Sequence, residues 1–255
     1  YTSTNTEDNK TTYYFRGAVD NNYVSFAGFT WRIVRINEDG SIRLILKDSI
    51  GKYAFNENNS DNAHVGYMYG TPGSTTYEAT HANTNSSTIK TTLDTWYQNN
   101  LVNYSSLIAD SGFCGDRSLY KGTGIGTTST YYGAWGRLGD NKIPQFKCLQ
   151  TNDLYTTATS TKGNKALAYP IGLITADEVA YAGGVDDKTN RSYYLVNGAY
   201  FRTMSPVASG SYASVWGVGV NGSVLYGGVD GVGGVRPAIN LKSTAEIIDG
   251  GNGTL

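Results

Sequence analysis

Two cysteines, two histidines and a cluster of aromatic residues near the C-terminus are the side chains of this sequence best equipped for chemistry. Cys114 and Cys148 are its only sulfhydryl residues. A thiol nucleophile needs a neighbouring base, and nothing around Cys114 supplies one locally. In an oxidising compartment such a pair closes as a disulfide. Closing a loop of that length stabilises a fold by roughly 3.5–4 kcal/mol in the chain-entropy model. The polar, lysine-poor composition favours the disulfide, with two free buried thiols or a catalytic pair as the alternatives. His64 and His81 lie in asparagine-rich surroundings without an HExxH or similar spacing, and they read as solvated loop residues. No GxSxG is present, so there is no serine-hydrolase elbow. The run Gly122-Thr123-Gly124-Ile125-Gly126 lacks both a preceding strand pattern and the Walker lysine, and reads as a loop rather than a phosphate cradle. Asp186-Asp187 with Asn190 offers oxygens of the kind calcium takes, but the twelve-residue EF-hand pattern is missing. A solvated turn is the better reading, so neither calcium nor any other metal or cofactor is assigned.

The aromatic residues have more promise as a binding surface. Tyrosine and tryptophan give large, rigid contact area at low entropic cost. Most of the 21 tyrosines read as filling for sheet faces. Tyr212 and Tyr226, which flank a glycine-rich tip, could equally meet a ligand. With Trp216 and Asp230 they form the expected ligand surface: rings stacking on ligand faces, and the carboxylate orienting polar atoms.

Those residues must be positioned by strands. Trp31-Arg32-Ile33-Val34-Arg35-Ile36 and Ser41-Ile42-Arg43-Leu44-Ile45-Leu46 flank Asn37-Glu38-Asp39-Gly40, a strong hairpin pattern. Tyr193–Val196, Ala199–Arg202 and Ser214–Val220 also read as strands. Asn221-Gly222 then suggests a type I′ turn leading into Ser223–Tyr226. Pro237 places the run from Val235 to Leu241 at a sheet edge or at the start of a strand. Two helices interrupt this pattern. One spans roughly Thr88 to Asn103, with Ile89, Leu93, Trp96, Tyr97 and Leu101 on one face. The other starts at Thr175-Ala176-Asp177-Glu178, a capping box, and stops at Gly183-Gly184. Residues 47–86 show no period and read as short strands or a surface excursion held by tyrosines. Residues 1–12 read as an N-terminal arm or linker remnant, and 13–255 as one domain.

Composition narrows the function. The 255 residues can bury a sizeable core. Only 16% are charged, and 20 basic residues against 21 acidic ones leave a net charge of -1. That balance argues against an electrostatic nucleic-acid or membrane-surface binder. The sequence holds no apolar run long enough to span a bilayer, so any membrane link would run through a segment outside these residues.

Several motifs carry a resemblance: Phe29-Thr30-Trp31-Arg32-Ile33-Val34-Arg35-Ile36, Cys114-Gly115-Asp116-Arg117, Tyr169-Pro170-Ile171-Gly172 running into Thr175-Ala176-Asp177-Glu178, Thr203-Met204-Ser205-Pro206, and Gly234-Val235-Arg236-Pro237-Ala238-Ile239. From about Tyr13 to Thr254 the chain resembles an uncharacterised domain common in surface proteins of Gram-positive gut bacteria. Its ending is similar to the C-type-lectin-like variable proteins of diversity-generating retroelements and, more distantly, to formylglycine-generating enzymes. The resemblance implies an α+β, β-rich, C-type-lectin-like fold with small twisted antiparallel sheets, two helices and long loops. The Glu-Pro-Asn and Trp-Asn-Asp motifs of sugar-binding C-type lectins are absent, so calcium-dependent sugar binding does not carry over. In the variable proteins, substitutions concentrate just before the terminal Arg-Pro, which here is Ser211 to Gly233. Arg236 is expected to anchor the final strand, and Trp31 to be structural.

The resulting expectation is a non-enzymatic recognition module, an adhesin or receptor-binding domain on a bacterial surface. Its partner would be a host or bacterial surface protein or a glycan. The alternatives are the globular head of a pilin-like filament subunit, packing against copies of itself, and, more remotely, an oxidase of the formylglycine-generating type using Cys114 and Cys148.

Overall fold

Phe29–Ile36 and Ile42–Leu46 form the centre of the first sheet in a computed structural model that describes residues 1–210, 212–246 and 252–254. The turn between them is closed by Asn37 N–H to the Ser41 carbonyl (2.8 Å) and Gly40 N–H to the Asn37 carbonyl (2.9 Å). Gly40 takes φ +82°, which a Cβ would oppose. Ala238–Leu241 adds to the Ile42–Leu46 edge, antiparallel, immediately after Pro237. Tyr23–Phe26 and Thr12–Tyr14 share the opposite edge of the long strand. Thr2–Ser3 pairs with Thr12–Tyr14, so residues expected as an arm fold back onto the sheet.

The second sheet orders Leu119–Lys121, Thr130–Tyr132, Phe201–Ser209, Ser214–Val218 and Val224–Gly228, all antiparallel. Val232–Gly234 joins it beside Phe201 and also pairs with Lys52–Ala54. The two ends of the described chain are thereby interlaced through both sheets. One contiguous apolar cluster, including Trp31, Leu44, Leu93, Ile171, Val215, Trp216 and Ile239, spans them. Trp31 is fully buried and donates its indole N–H to the Phe26 carbonyl (3.0 Å). The protein is thus α+β and strand-rich, with several small antiparallel sheets and few helices.

The longest helix is Thr88–Asn100, capped by the Ser87 hydroxyl, and a tighter helical turn over Val102–Leu107 replaces its expected last residues. Ala176–Ala182 opens with the full capping box: Glu178 N–H to Thr175 Oγ1 (3.0 Å) and Thr175 N–H to Glu178 Oε2 (2.8 Å). A wide, π-type helical segment over Trp135–Asn141 has no counterpart in the apolar spacing of the sequence. Tyr193–Val196, expected as a strand, is a turn whose Tyr193 hydroxyl donates to the Gly222 carbonyl (2.9 Å).

Residues 47–86 hold three short strands, a 3-10 turn at Asn62–Val65 and a one-turn helix at Tyr77–Thr80. A buried polar scaffold organises them. Asn62 donates to the Gly126 and Thr128 carbonyls and accepts from the Tyr132 hydroxyl (2.7 Å). Arg117 and Asp153, both inaccessible to solvent, pair through Nε and Oδ1 at 2.7 Å. His64 and His81 are buried in this region, which corrects their reading as solvated loop residues. The Gly122–Gly126 loop is preceded by a strand after all, but it closes a hairpin, and its carbonyls face Asn62 and His81.

Candidate ligand surface on the C-terminal hairpin

Trp216 and Tyr226 stand directly opposite each other on Ser214–Val218 and Val224–Gly228. The intervening turn is not type I′. Gly222 N–H bonds the Gly219 carbonyl (2.8 Å), Gly219 N–H bonds the Ser223 carbonyl (2.9 Å), and of the four turn residues Gly222 alone has positive φ, +77°. Asn221 is held instead by its side chain, which accepts from Ser223 N–H (3.1 Å) and Oγ (2.7 Å) and donates to Thr189 Oγ1 (3.0 Å). Asn190 N–H also bonds the Asn221 carbonyl. The tip is therefore docked on residues 189–190, and the exposed feature of the hairpin is its face.

Strand register defines that face. Tyr131, Ala208, Ser214 and Gly228 form one row across four strands. Residues directly opposite one another project to the same side of a sheet, as do residues two apart along a strand. Tyr131 thus shares a side with Trp216 and Tyr226, over a floor of small residues. Trp135, from the π-type segment, closes the group: its ring lies 4.9 Å from Tyr131, 6.1 Å from Trp216 and 5.7 Å from Tyr226. Tyr226 is 50% exposed and Tyr212 55%. A Cβ placed on Gly228 would lie 2.8 Å from Asp230 Oδ1 and 3.9 Å from the Tyr212 ring, so both residues border the same floor.

Trp216 is different. It is fully buried, so its ring supports the face from beneath and offers no surface for stacking. Its role as a ligand-stacking residue is corrected on that ground. Its place on the rim is taken by Tyr131 and Trp135, which local reading of the C-terminal segment does not reach. Ser211, at the start of the expected variable segment, lies outside the described residues.

Arg202 lies behind the face. Its Nη2 donates to the carbonyls of Gly228 (2.8 Å) and Gly231, which fixes the loop carrying Asp230. Burial lowers its pKa from the ordinary arginine value. Arg236 is buried, donates to the Leu46 (2.8 Å) and Leu195 (2.7 Å) carbonyls and stacks on Phe201. Burial pushes its pKa down to about 10.

No family model, no curated protein and no solved structure matches this chain.

The remaining chemical residues lie outside the aromatic face. Cys114 and Cys148 form a disulfide. Asp186 turns to Lys142 (3.6 Å), while Asn190 donates to the Gly183 carbonyl (2.8 Å), so they do not converge on one point. Among the described residues no three His, Cys, Asp or Glu side chains are grouped to hold a metal ion, and no helix is long and apolar enough to cross a membrane. Two cavities also lie elsewhere. One, of about 230 Å³, runs between Arg35, Glu178 and Asp110, and another, of about 570 Å³, is lined by Tyr97, Ile108, Tyr169 and Lys242.

Proposed function

We propose that this chain is an extracellular recognition module with a C-type-lectin-like fold, an adhesin or receptor-binding domain of a bacterial surface. Its ligand is a surface protein or a glycan, taken on the face bordered by Tyr131, Trp135, Tyr212, Tyr226 and Asp230. The observation that carries this reading is half-exposed Tyr226, backed by buried Trp216 on one side of a four-strand row, with half-exposed Tyr212 beside Gly228 at the end of that row. Rings braced in this way meet a flat apolar ligand face with little further loss of freedom. Asp230, held in place through Arg202, gives the surface a directional acceptor. The disulfide suits an oxidising, extracytoplasmic compartment. The role proposed is non-enzymatic, and the enclosure of both histidines and the joining of both sulfurs support that reading.

Screening the purified protein on glycan arrays and on immobilised bacterial and host surface proteins tests the proposal. The variant combining Tyr212→Ala and Tyr226→Ala is expected to lose about a hundredfold in affinity for whatever the native protein retains. Full-strength binding by that variant, with unchanged thermal stability, sinks the site.

A further inference from the structure

The cavity beside the disulfide is built from different parts. The register of the first hairpin sets Arg35 opposite Arg43. Both grip one carboxylate: Arg35 Nε lies 3.2 Å and Arg43 Nε 3.1 Å from Glu178 Oε1. Glu178 Oε2 accepts from Thr175 N–H as well. Burial alone would raise the Glu178 carboxyl, but Arg43 and Arg35 hold it below its ordinary value. This closed end has no negative charge to spare, since two cations share one carboxylate.

The rest of the lining does. Over the whole lining, closed end included, five carboxylates (Glu7, Glu38, Asp39, Asp110, Glu178) face three cations (Arg35, Arg43, Lys162), an excess of two negative charges when all are ionised. Uncommitted hydrogen-bonding atoms point the same way. Asn37 is only 5% exposed, its Nδ2 donates to Ser41 Oγ (2.8 Å) and Asn240 Oδ1 (2.9 Å), and its Oδ1 has no partner among the described residues. Asp110 spends Oδ2 on the Thr157 N–H (2.9 Å) and hydroxyl (2.8 Å), which leaves buried Oδ1 without a partner. One donor is also uncommitted: Arg35 Nη1 makes no hydrogen bond and lies 3.6 Å from Glu38 Oε2. Unpaired buried polar atoms carry their full desolvation cost, so a ligand that completes them is favoured.

We propose that this crevice binds a small organic ligand carrying a primary ammonium group beside an acceptor oxygen. The ammonium donates to Asp110 Oδ1 and Asn37 Oδ1 under the field of the surplus carboxylates, and the acceptor oxygen meets Arg35 Nη1. Burial, which raises the Glu7 and Asp110 carboxyls, makes a neighbouring cation more welcome. The volume of about 230 Å³ lies below the roughly 300–1,000 Å³ of sites for drug-sized ligands, which limits the occupant to about the size of a free amino acid.

Isothermal titration calorimetry of the whole chain with L-alanine, ethanolamine and glucosamine separates an amino acid, an amino alcohol and an amino sugar as the source of that chemistry. At least one should bind at millimolar concentration or below, while its N-acetyl derivative should not. Asp110→Asn keeps an oxygen for Thr157 and removes the charge, and Glu7→Gln keeps the acceptor for Cys148 N–H. Each is expected to weaken binding by about tenfold or more. Asp110 also lines the second cavity, so the Glu7→Gln result identifies the crevice as the site. Tyr226→Ala should leave the titration unchanged, because the crevice stands independently of the hairpin face. No heat from any of the three probes overturns the proposal. So does equal binding of the acetylated forms, or unaltered binding by both folded carboxylate variants.

Discussion

His81 joins burial to a measurable consequence. Its ring lies 4.4 Å from that of Tyr77, and Nε2 stands 3.0 Å from the Gly124 carbonyl, so Nε2 carries the donated proton. Burial first, and then the nearby Arg117 guanidinium, push its pKa down to about 3. An unfolded chain protonates this ring below about 6.5, whereas the folded chain resists until about 3. Stability from this group is therefore full above that window and falls as pH drops through it, by about 1.4 kcal/mol per pH unit. Urea midpoints at pH 7 and pH 5 should fall more steeply for the native chain than for His81→Gln; parallel slopes would remove the effect. Asp153 is the second residue of this kind. It takes the Arg117 side chain and backbone N–H together in a fully buried setting. Asp153→Ala leaves a buried guanidinium without its counter-charge, and a loss of about 3–5 kcal/mol is expected in the same denaturation assay. Neither residue was legible in the sequence. Hydrophobic periodicity reports apolar burial, and a polar network spread over Asn62, His81, Arg117, Tyr132 and Asp153 leaves no period at all.

At the scale of elements, two hairpins use one turn design in different surroundings. Gly40 (φ +82°) and Gly222 (φ +77°) each close a four-residue turn in the left-handed region. A Cβ on Gly40 meets nothing nearer than Ser243 Cβ at 3.5 Å, so Gly40→Ala should cost only the backbone strain, about 1–2 kcal/mol. On Gly222 it would lie 1.8 Å from the Asn190 carbonyl oxygen, so the tip must lift off its docking loop. Gly222→Ala should therefore cost about 1–3 kcal/mol more than Gly40→Ala in chemical denaturation. Equal losses would mean that the docking is dispensable. The same comparison shows what local pattern can and cannot reveal. The first hairpin and the Thr175–Glu178 capping box were legible because their signals are complete within a few residues. The existence of the second hairpin follows from the sequence, but a two-residue turn at Asn221-Gly222 would set Trp216 opposite Gly227, and the longer turn sets it opposite Tyr226 instead. The burial of Trp216 does not follow either, because Trp135 and Tyr131 arrive from a distant part of the chain. Tyr193 and Tyr194 suit a strand by propensity, yet they are buried in a turn that receives hydrogen bonds from Arg32 and Arg236. Tertiary contacts there outweigh propensity.

For the whole molecule, the disulfide is part of the crevice wall, whereas the hairpin face is built on the second sheet. Cys114 lines the crevice and lies on a two-residue strand paired with Leu154–Tyr155. Its partner Cys148 sits in a segment tied to the N-terminal strand pair: Phe146 N–H bonds the Asn5 carbonyl, and Cys148 N–H bonds Glu7 Oε1. With the two cysteines 34 positions apart in sequence, the crosslink should contribute about 4 kcal/mol by restricting the unfolded chain. Replacing both cysteines by alanine is expected to lower the denaturation midpoint accordingly. The two surfaces should then respond differently. Without the bond, Gln145 N–H to Asp177 Oδ1 (3.0 Å), the Tyr181 hydroxyl to the Pro144 carbonyl (2.8 Å) and the Phe146–Tyr181 stack still hold the start of this segment. Cys148 at its end is freed, so Glu7, which accepts from Cys148 N–H, is expected to lose its fixed position over the crevice. Ammonium binding should weaken in step. The hairpin face rests on the row from Tyr131 to Gly228 and on Arg202, none of which touches the bridge, and its ligand affinity should be unchanged in the double-alanine protein at temperatures where it remains folded. A parallel loss at both surfaces would show that the disulfide holds the second sheet as well as the crevice wall.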